Sequence, residues 1–169
     1  MQKMYFGTTG LICRPLQVSE LTKFNEIVTT DPYIQQFFRI DNPIAFWESL
    51  NDYDCIPVGV FLKSSKSSSD TAHKLIGYIN GYVYSRDELL VEFFLTQGYC
   101  RNDYLEQLLS GYLNACKKLG LYAFRFEVEE GDDEYAAFLS DFGASRCAED
   151  DFTDTTDGNR VFHVYKIIY

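Results

Sequence analysis

Residues 89–129, LLVEFFLTQGYCRNDYLEQLLSGYLNACKKLGLYAFRFEVE, carry three elements in immediate succession. LLVEFFLT at 89–96 is an apolar run of strand length, following the turn SRDE. Asn102 then opens a helix whose Leu105, Leu108, Leu109, Tyr112, Leu113, Cys116 and Leu119 share one face. It ends at Lys117, Lys118 and Gly120. YAFRFEVE at 122–129 alternates, with Tyr122, Phe124, Phe126 and Val128 on one side and Arg125, Glu127 and Glu129 on the other, the pattern of a half-buried strand. A strand, a helix and a strand joined by short turns form a crossover unit, so 89–96 and 122–129 are predicted to lie side by side and parallel.

The flanking sequence surrounds this unit with antiparallel strands. CIPVGVFL at 55–62 and KLIGYINGYVY at 74–84 are strand-like and joined by the Ser-rich loop KSSKSSSDTAH. LICRPL at 11–16 is a short strand stopped by Pro15, and Ser19 is the expected cap of a helix over ELTKFNEIV. Asp31 with Pro32, and Asn42 with Pro43, begin two further helices, YIQQFFRI and IAFWESL. Downstream, Asp132 starts a helix through Phe142 that Gly143 stops, and SRCAEDDF and RVFHVYKIIY form a last hairpin around DTTDGN. With no internal repeat and no dividing linker, residues 1–169 read as one α+β domain with a mainly antiparallel sheet and one parallel pair.

Composition excludes several classes of function. The 15 Lys and Arg against 25 Asp and Glu give a net charge of −10, with no basic block to follow a phosphate backbone, so nucleic acid is not an expected partner. The same charge opposes an anionic membrane surface, no apolar run is long enough to span a bilayer, and MQKMYFGTTGLICRP has no secretory core. A cytoplasmic location is the expectation. Five cysteines, at 13, 55, 100, 116 and 147, show no metal-ligand spacing. Cys13, Cys55 and Cys147 lie in or beside apolar runs and are expected to be buried thiols, while Cys100 falls in a loop ahead of a helix.

LLVEFFLTQGYCRNDYLEQLLSGYLNACKKLG and FRFEVEEGDDEYAAFLSDFGA resemble the GNAT family of N-acetyltransferases over nearly the whole chain: the family's fourth strand, phosphate loop and third helix, then its fifth strand and fourth helix. The resemblance implies a three-layer fold, a mixed and mostly antiparallel sheet of about seven strands with helices on both faces. It also implies transfer of an acetyl group from acetyl-CoA to a primary amine. Main-chain groups near Leu95 and Thr96 would meet the pantetheine. The phosphate loop and helix start, Arg101, Asn102, Asp103, Tyr104, Leu105 and Glu106, would meet the diphosphate, and Asp132 stands where the family often has an Asn against the pantetheine.

The loop departs from the family's Arg/Gln-x-x-Gly-x-Gly/Ala. Arg101 matches its first position, but Tyr104 and Glu106 occupy the two small-residue positions that let backbone amides approach an anion. Asp103 and Glu106 also put carboxylates in the first helical turn, where they satisfy the helix dipole themselves. Leu139 replaces the Tyr that many members use to protonate the departing thiolate; Tyr135, one turn earlier, is the substitute candidate. Glu92, in the middle of an apolar strand, is the candidate base, since burial would raise its pKa. Placed on the solvated side, it would be an ordinary surface carboxylate.

Other signals are weaker. Asp151, Asp154 and Asp157 recur every third residue with Phe162 at the twelfth position, which does not match a calcium loop. His73 and His163 have no neighbours in sequence for metal or nucleophile chemistry. EVEEGDDE is a solvated strand end and cap whose charge suits a cationic small-molecule or peptide amine. Two readings follow: a divergent acetyltransferase, or a silent module of the same fold that has lost CoA binding. The aromatic content leaves room for an apolar patch and a homodimer.

Overall fold

The computed structural model describes residues 3–37, 42, 46, 48, 54–63, 73–100, 102–156 and 158–169. The strands are β1 (Phe6–Gly7), β2 (Leu11–Arg14), β3 (Val58–Leu62), β4 (Lys74–Ser85), β5 (Glu88–Leu95), β6 (Ala123–Glu129), β7 (Ser145–Arg146), β8 (Phe152–Asp154) and β9 (Arg160–Ile168). The helices are α1 (Leu21–Thr30), α2 (Pro32–Phe37), α3 (Asn102–Lys118) and α4 (Asp133–Phe142). Among the described residues, one nine-stranded sheet runs β1-β2-β3-β4-β5-β6-β9-β7, with β8 also on β9. Every pairing is antiparallel except β5 with β6. The count exceeds the expected seven because the two-residue β1 is too short for any alternation to show and the first arm of the last hairpin is divided into β7 and β8.

Sheet parity separates two cores. Leu89, Val91, Phe93 and Leu95 of β5 join Leu108, Leu109, Tyr112, Leu113 and Cys116 of α3 and Phe138 and Leu139 of α4. Phe24, Ile27 and Val28 of α1 and Ile34 of α2 pack with Phe61, Leu75, Tyr78 and Phe94 on the opposite face. Helices thus cover both faces of the sheet. A bulge where Val60 pairs Gly77 and Phe61 pairs Leu75 leaves Ile76 extra, so Leu75 and Tyr78, three residues apart, both face α1.

Local chemistry accounts for most boundaries. Asp132 caps α4 by accepting from the Tyr135 amide at 3.2 Å, and Gly143 ends it in the left-handed conformation at φ 103°. At α1 the expected Ser19 cap is corrected: residues 18–20 form a 3-10 turn, and the Gln17 amide donates to Glu20 Oε2 at 2.8 Å. Glu20, with a carboxylate able to reach back three residues and to accept from Arg14, outcompetes the shorter Ser19 hydroxyl. The final hairpin forms, but a 3-10 turn at Ala148–Asp150 divides its first arm into β7 and β8. Cys13, Cys55 and Cys116 are buried, whereas Cys147 is only half-buried because it sits at that interruption. The predicted helix over 33–40 is described through Phe37, and the one over 44–50 lies largely outside the described residues.

Gly77 of β4 stands opposite Leu95 of β5. A Cβ there would fall against the Phe94 carbonyl oxygen, which is backbone, and 2.6 Å from Leu95 Cδ2. Gly77→Ala is therefore expected to destabilise the fold by about 1–3 kcal/mol in chemical denaturation, the range of core overpacking.

Candidate active site

The parallel pair is short. β5 and β6 register only at Glu88–Ala123, Leu89–Phe124 and Leu90–Arg125. Beyond that point β5 stays paired with β4 as far as Leu95–Gly77, and β6 stays paired with β9 as far as Glu129–Phe162, but the two no longer pair with each other. Each strand follows its outer neighbour and a fork opens between them, with unshared main-chain groups along both inner edges. On the α3 side, the rings of Tyr135 and Phe138 stand edge-on to Phe93 of the unpaired stretch, at 5.3 and 6.2 Å.

Glu92 lies on the opposite face of β5 from Phe93, yet not in open solvent. It is directly across from Asn80, with Tyr82 close enough to act on its carboxyl. Burial, reinforced by the like charge of Glu127, pushes its carboxyl up to about 7, Tyr82 acting in the other direction. Glu127 itself accepts from Arg125 Nε at 2.8 Å, and the buried Arg125 guanidinium lies 4.5 Å from the Tyr84 ring centroid. Tyr78 Oη and Asn80 Nδ2 are buried and have no hydrogen-bond partner among the described residues, a polar wall beside the carboxylate.

The open end of the fork is edged by residues from three elements. Asp132, 6% exposed, accepts from the Tyr33 hydroxyl at 3.1 Å as well as capping α4, and burial raises its pKa. Burial, with Tyr33, Glu92 and Asp132 nearby, drives the Tyr135 hydroxyl well above 10. On the other side, Asp31 Oδ2 accepts from the Gln97 amide at 2.8 Å. The Cys100 thiol is pushed up by burial and by Glu134, Asp132 and Asp31, so it is held as a thiol, not a thiolate.

The structure thus brings Glu92, Tyr135 and Asp132 to one fork and distributes the other sequence candidates around it. Leu95 is fully buried against the α3 face, and the Thr96 amide is spent on the Ile76 carbonyl at 2.8 Å. Leu105 packs on the same core. Asp103 and Glu106 are exposed in the first turn of α3. Tyr104 does not plug the fork: its ring packs near Tyr99, and a Cβ on Gly10 would come 2.9 Å from it, which places it against the β1–β2 turn. Arg101 and the Asn102 side chain lie outside the described residues, as does Asp157. Leu139 is buried in the core and offers no group to the fork.

Three residues were missed. Asp31 was read only as a helix cap, Tyr33 as part of that helix, and Tyr82 as a strand residue. The Asp31–Pro32 start was the one available signal. What the pattern could not show is that the cap's second oxygen crosses to Gln97. The fork fits a thin arm with amide groups. The Gln97 amide, in the stretch that follows β5, is bonded to Asp31.

No protein-family model matches the sequence, and no curated protein matches it. Solved structures do match in three dimensions. An acetyltransferase of the GNAT family from Bacillus anthracis superposes with a TM-score of 0.77 at 14% identity, covering 98% of each chain. The acetyltransferase from Agrobacterium tumefaciens gives 0.70 at 14% identity over 100% of this chain and 96% of that one. The microcin C7 self-immunity acetyltransferase MccE, solved with acetyl-CoA and AMP, gives 0.76 at 8% identity over 96% and 94%. At these identities the likeness is one of fold: the chain has the fold of the GNAT acetyltransferases.

Proposed function

We propose that this chain is an acyl-CoA-dependent N-acetyltransferase acting on a primary amine of a cationic small molecule or peptide. The observation that carries the reading is Glu92, a carboxyl with a pKa of about 7 standing where two parallel strands part. Acetyl-CoA, with its pantetheine arm in the fork, would supply the acyl group as an activated thioester.

An amine reaches the site as an ammonium and must lose a proton before it can attack. A carboxyl near pKa 7 is substantially ionised at neutral pH yet basic enough to accept that proton. Tyr135, with its pKa well above 10, keeps its proton at neutral pH and is the group able to donate one to a departing atom. Asp31, Asp132 and Glu134 around Cys100 give the open end a negative potential that favours a cationic acceptor.

A second reading, a binding module without turnover, is favoured by the loop: Tyr104 and Glu106 replace the small residues, and Asp31 takes the Gln97 amide. Calorimetry with acetyl-CoA separates the two. Heat of binding at up to millimolar ligand supports the enzyme; its absence there, meaning binding weaker than about −4 kcal/mol, leaves the module.

For the enzyme, Glu92→Gln is expected to lower turnover by about 10²–10⁴-fold. The wild type's kcat/KM should rise with pH through a midpoint near 7, a limb that the variant loses. Stability gives an independent check. Glu92 holds its proton more tightly folded, at about 7, than unfolded, at 4.5, so folding takes up a proton between those values and wild-type stability falls as pH rises through that window. Glu92→Gln removes this loss and is expected to be more stable than the wild type above neutral pH by about 1–3 kcal/mol in denaturant titrations. Equal stability there would place Glu92 in water and remove the basis for its role as base.

A further inference from the structure

On the sheet face turned toward α1, β5 and β6 each carry a carboxylate just past the point where they part. Leu90 and Arg125 are the last registered pair, and two residues further along each strand stand Glu92 and Glu127. Their side is fixed by their neighbours. Phe94 of β5 packs with α1, while Phe124, Phe126 and Val128 of β6 pack on the α3 side and leave Glu127 on the other. The two carboxylates are thus counterparts across the fork, near enough that the charge of Glu127 acts on Glu92. Glu127 Oε1 accepts from Arg125 Nε at 2.8 Å, the Glu127 side chain is 19% exposed, and its Oε2 takes no hydrogen bond among the described residues. Asn80 extends the row onto β4. It is directly across from Glu92, fully buried, and its Oδ1 accepts from the Ile56 amide at 3.0 Å, so Nδ2 is the end without a partner among the described residues. A buried donor left in this way marks a place that a further polar group completes.

We propose that Glu127 is the anchor for the acceptor amine: a primary alkylammonium group docks across the fork between Glu127 and Glu92 and donates an N–H to each. The inference rests on the reading of Glu92 as the base and adds what holds the substrate to it. Two carboxylates facing one another repel, and a cation between them relieves both. Their roles differ because their partners do. Glu127 is ion-paired with the buried Arg125 and stays charged as the anchor. Glu92 has no basic partner among the described residues and is the one that takes the proton. That proton passes from the ammonium nitrogen to the Glu92 carboxylate, leaving a carboxylic acid and a neutral amine still bonded through N–H to Glu127. Asn80 Nδ2, on the other side of Glu92, is the donor available to the Glu92 carboxylate while it is ionised. Such a site selects for N–H groups as well as for charge: a primary ammonium has three, and a quaternary ammonium has none.

The test uses protein labelled with carbon-13 at the glutamate carboxyls and read by NMR. In the wild type, butylammonium chloride should shift the Glu92 and Glu127 signals saturably, and tetramethylammonium chloride at the same concentration should not. An unmoved Glu127 signal, or an equal response to the two ions, overturns the anchor whether or not acetyl-CoA is used. The other titratable groups facing Glu92 among the described residues are Tyr78 and Tyr82 of β4 and Tyr135 of α4, all neutral through the range in which Glu92 titrates. Glu127→Gln, which keeps an acceptor for Arg125, should therefore lower the Glu92 midpoint from about 7 by about 0.5–1 pH unit and weaken butylammonium binding by about tenfold or more. An unchanged midpoint overturns the pairing. In turnover, Glu127→Gln should raise the KM for a primary amine by about ten- to hundredfold with kcat within about threefold, and Glu127→Asp, which keeps the charge, should recover most of it. An unchanged KM overturns the proposal. If butylammonium binds as described and acetyl-CoA is not consumed, the transferase reading fails and the ammonium site stands.

Discussion

Everything at the candidate site depends on one interruption: a parallel pair that registers over three residue pairs and then parts. Burying unpaired main-chain edges is costly, and the sheet limits that cost by keeping each strand fully laddered to its outer neighbour, β5 to β4 and β6 to β9. The closed end is held by charge as well as by the ladder. Lys166 on β9 reaches over β6 to Glu88 on β5 at 2.9 Å and also meets Asp150 at 2.8 Å. Arg125, at the last registered pair, bonds to Glu127. The Lys166–Glu88 pair thus ties β9 to β5 across β6 at the end where the two parallel strands stay together.

That distribution gives the acidic composition its physical meaning. A net charge of −10 spread evenly would be a solubility property. Here several carboxylates are structural: Glu20 binds Arg14, Glu129 binds Arg160 at 2.5 Å, and Asp151 is shared by Arg146 and His163. Others stand at the fork, where Glu92 is desolvated near Glu127 and the tyrosines of β4, and where Asp31 and Asp132 spend their oxygens on amides and a phenol. Asp31 accepts from the Gln97 amide, far along the chain. Asp103 and Glu106, near the start of α3, are exposed.

Much of this architecture is legible in the order of residues. The alternation at 122–129 and the apolar helix face from Leu105 to Cys116 are periodic signals, and they place the parallel pair and the core of α3 correctly. Glu92 stands out because a carboxylate in an apolar strand is rare. Asp31, Tyr33 and Tyr82 do not, because each plays an ordinary local part, as cap, helix residue and strand residue, and gains its second partner only across 66, 99 and 10 positions of chain respectively. Side-chain pairings over such separations have no periodicity to betray them. The same is true of the bulge at Ile76, which sets which side of β4 meets α1.

The sequence by itself determined the element order, the crossover unit and the chemistry available, since these follow from hydrophobic period, caps and residue type within a few turns of chain. Only the tertiary structure decided that β5 and β6 part after Leu90 and Arg125, that Glu92 stands half-buried near the tyrosines of β4, and that Tyr33 meets Asp132. Those outcomes depend on which strand edge has the better outer partner and on how far burial excludes solvent from a carboxylate. Both quantities belong to the packed molecule, and no segment of the chain carries them alone.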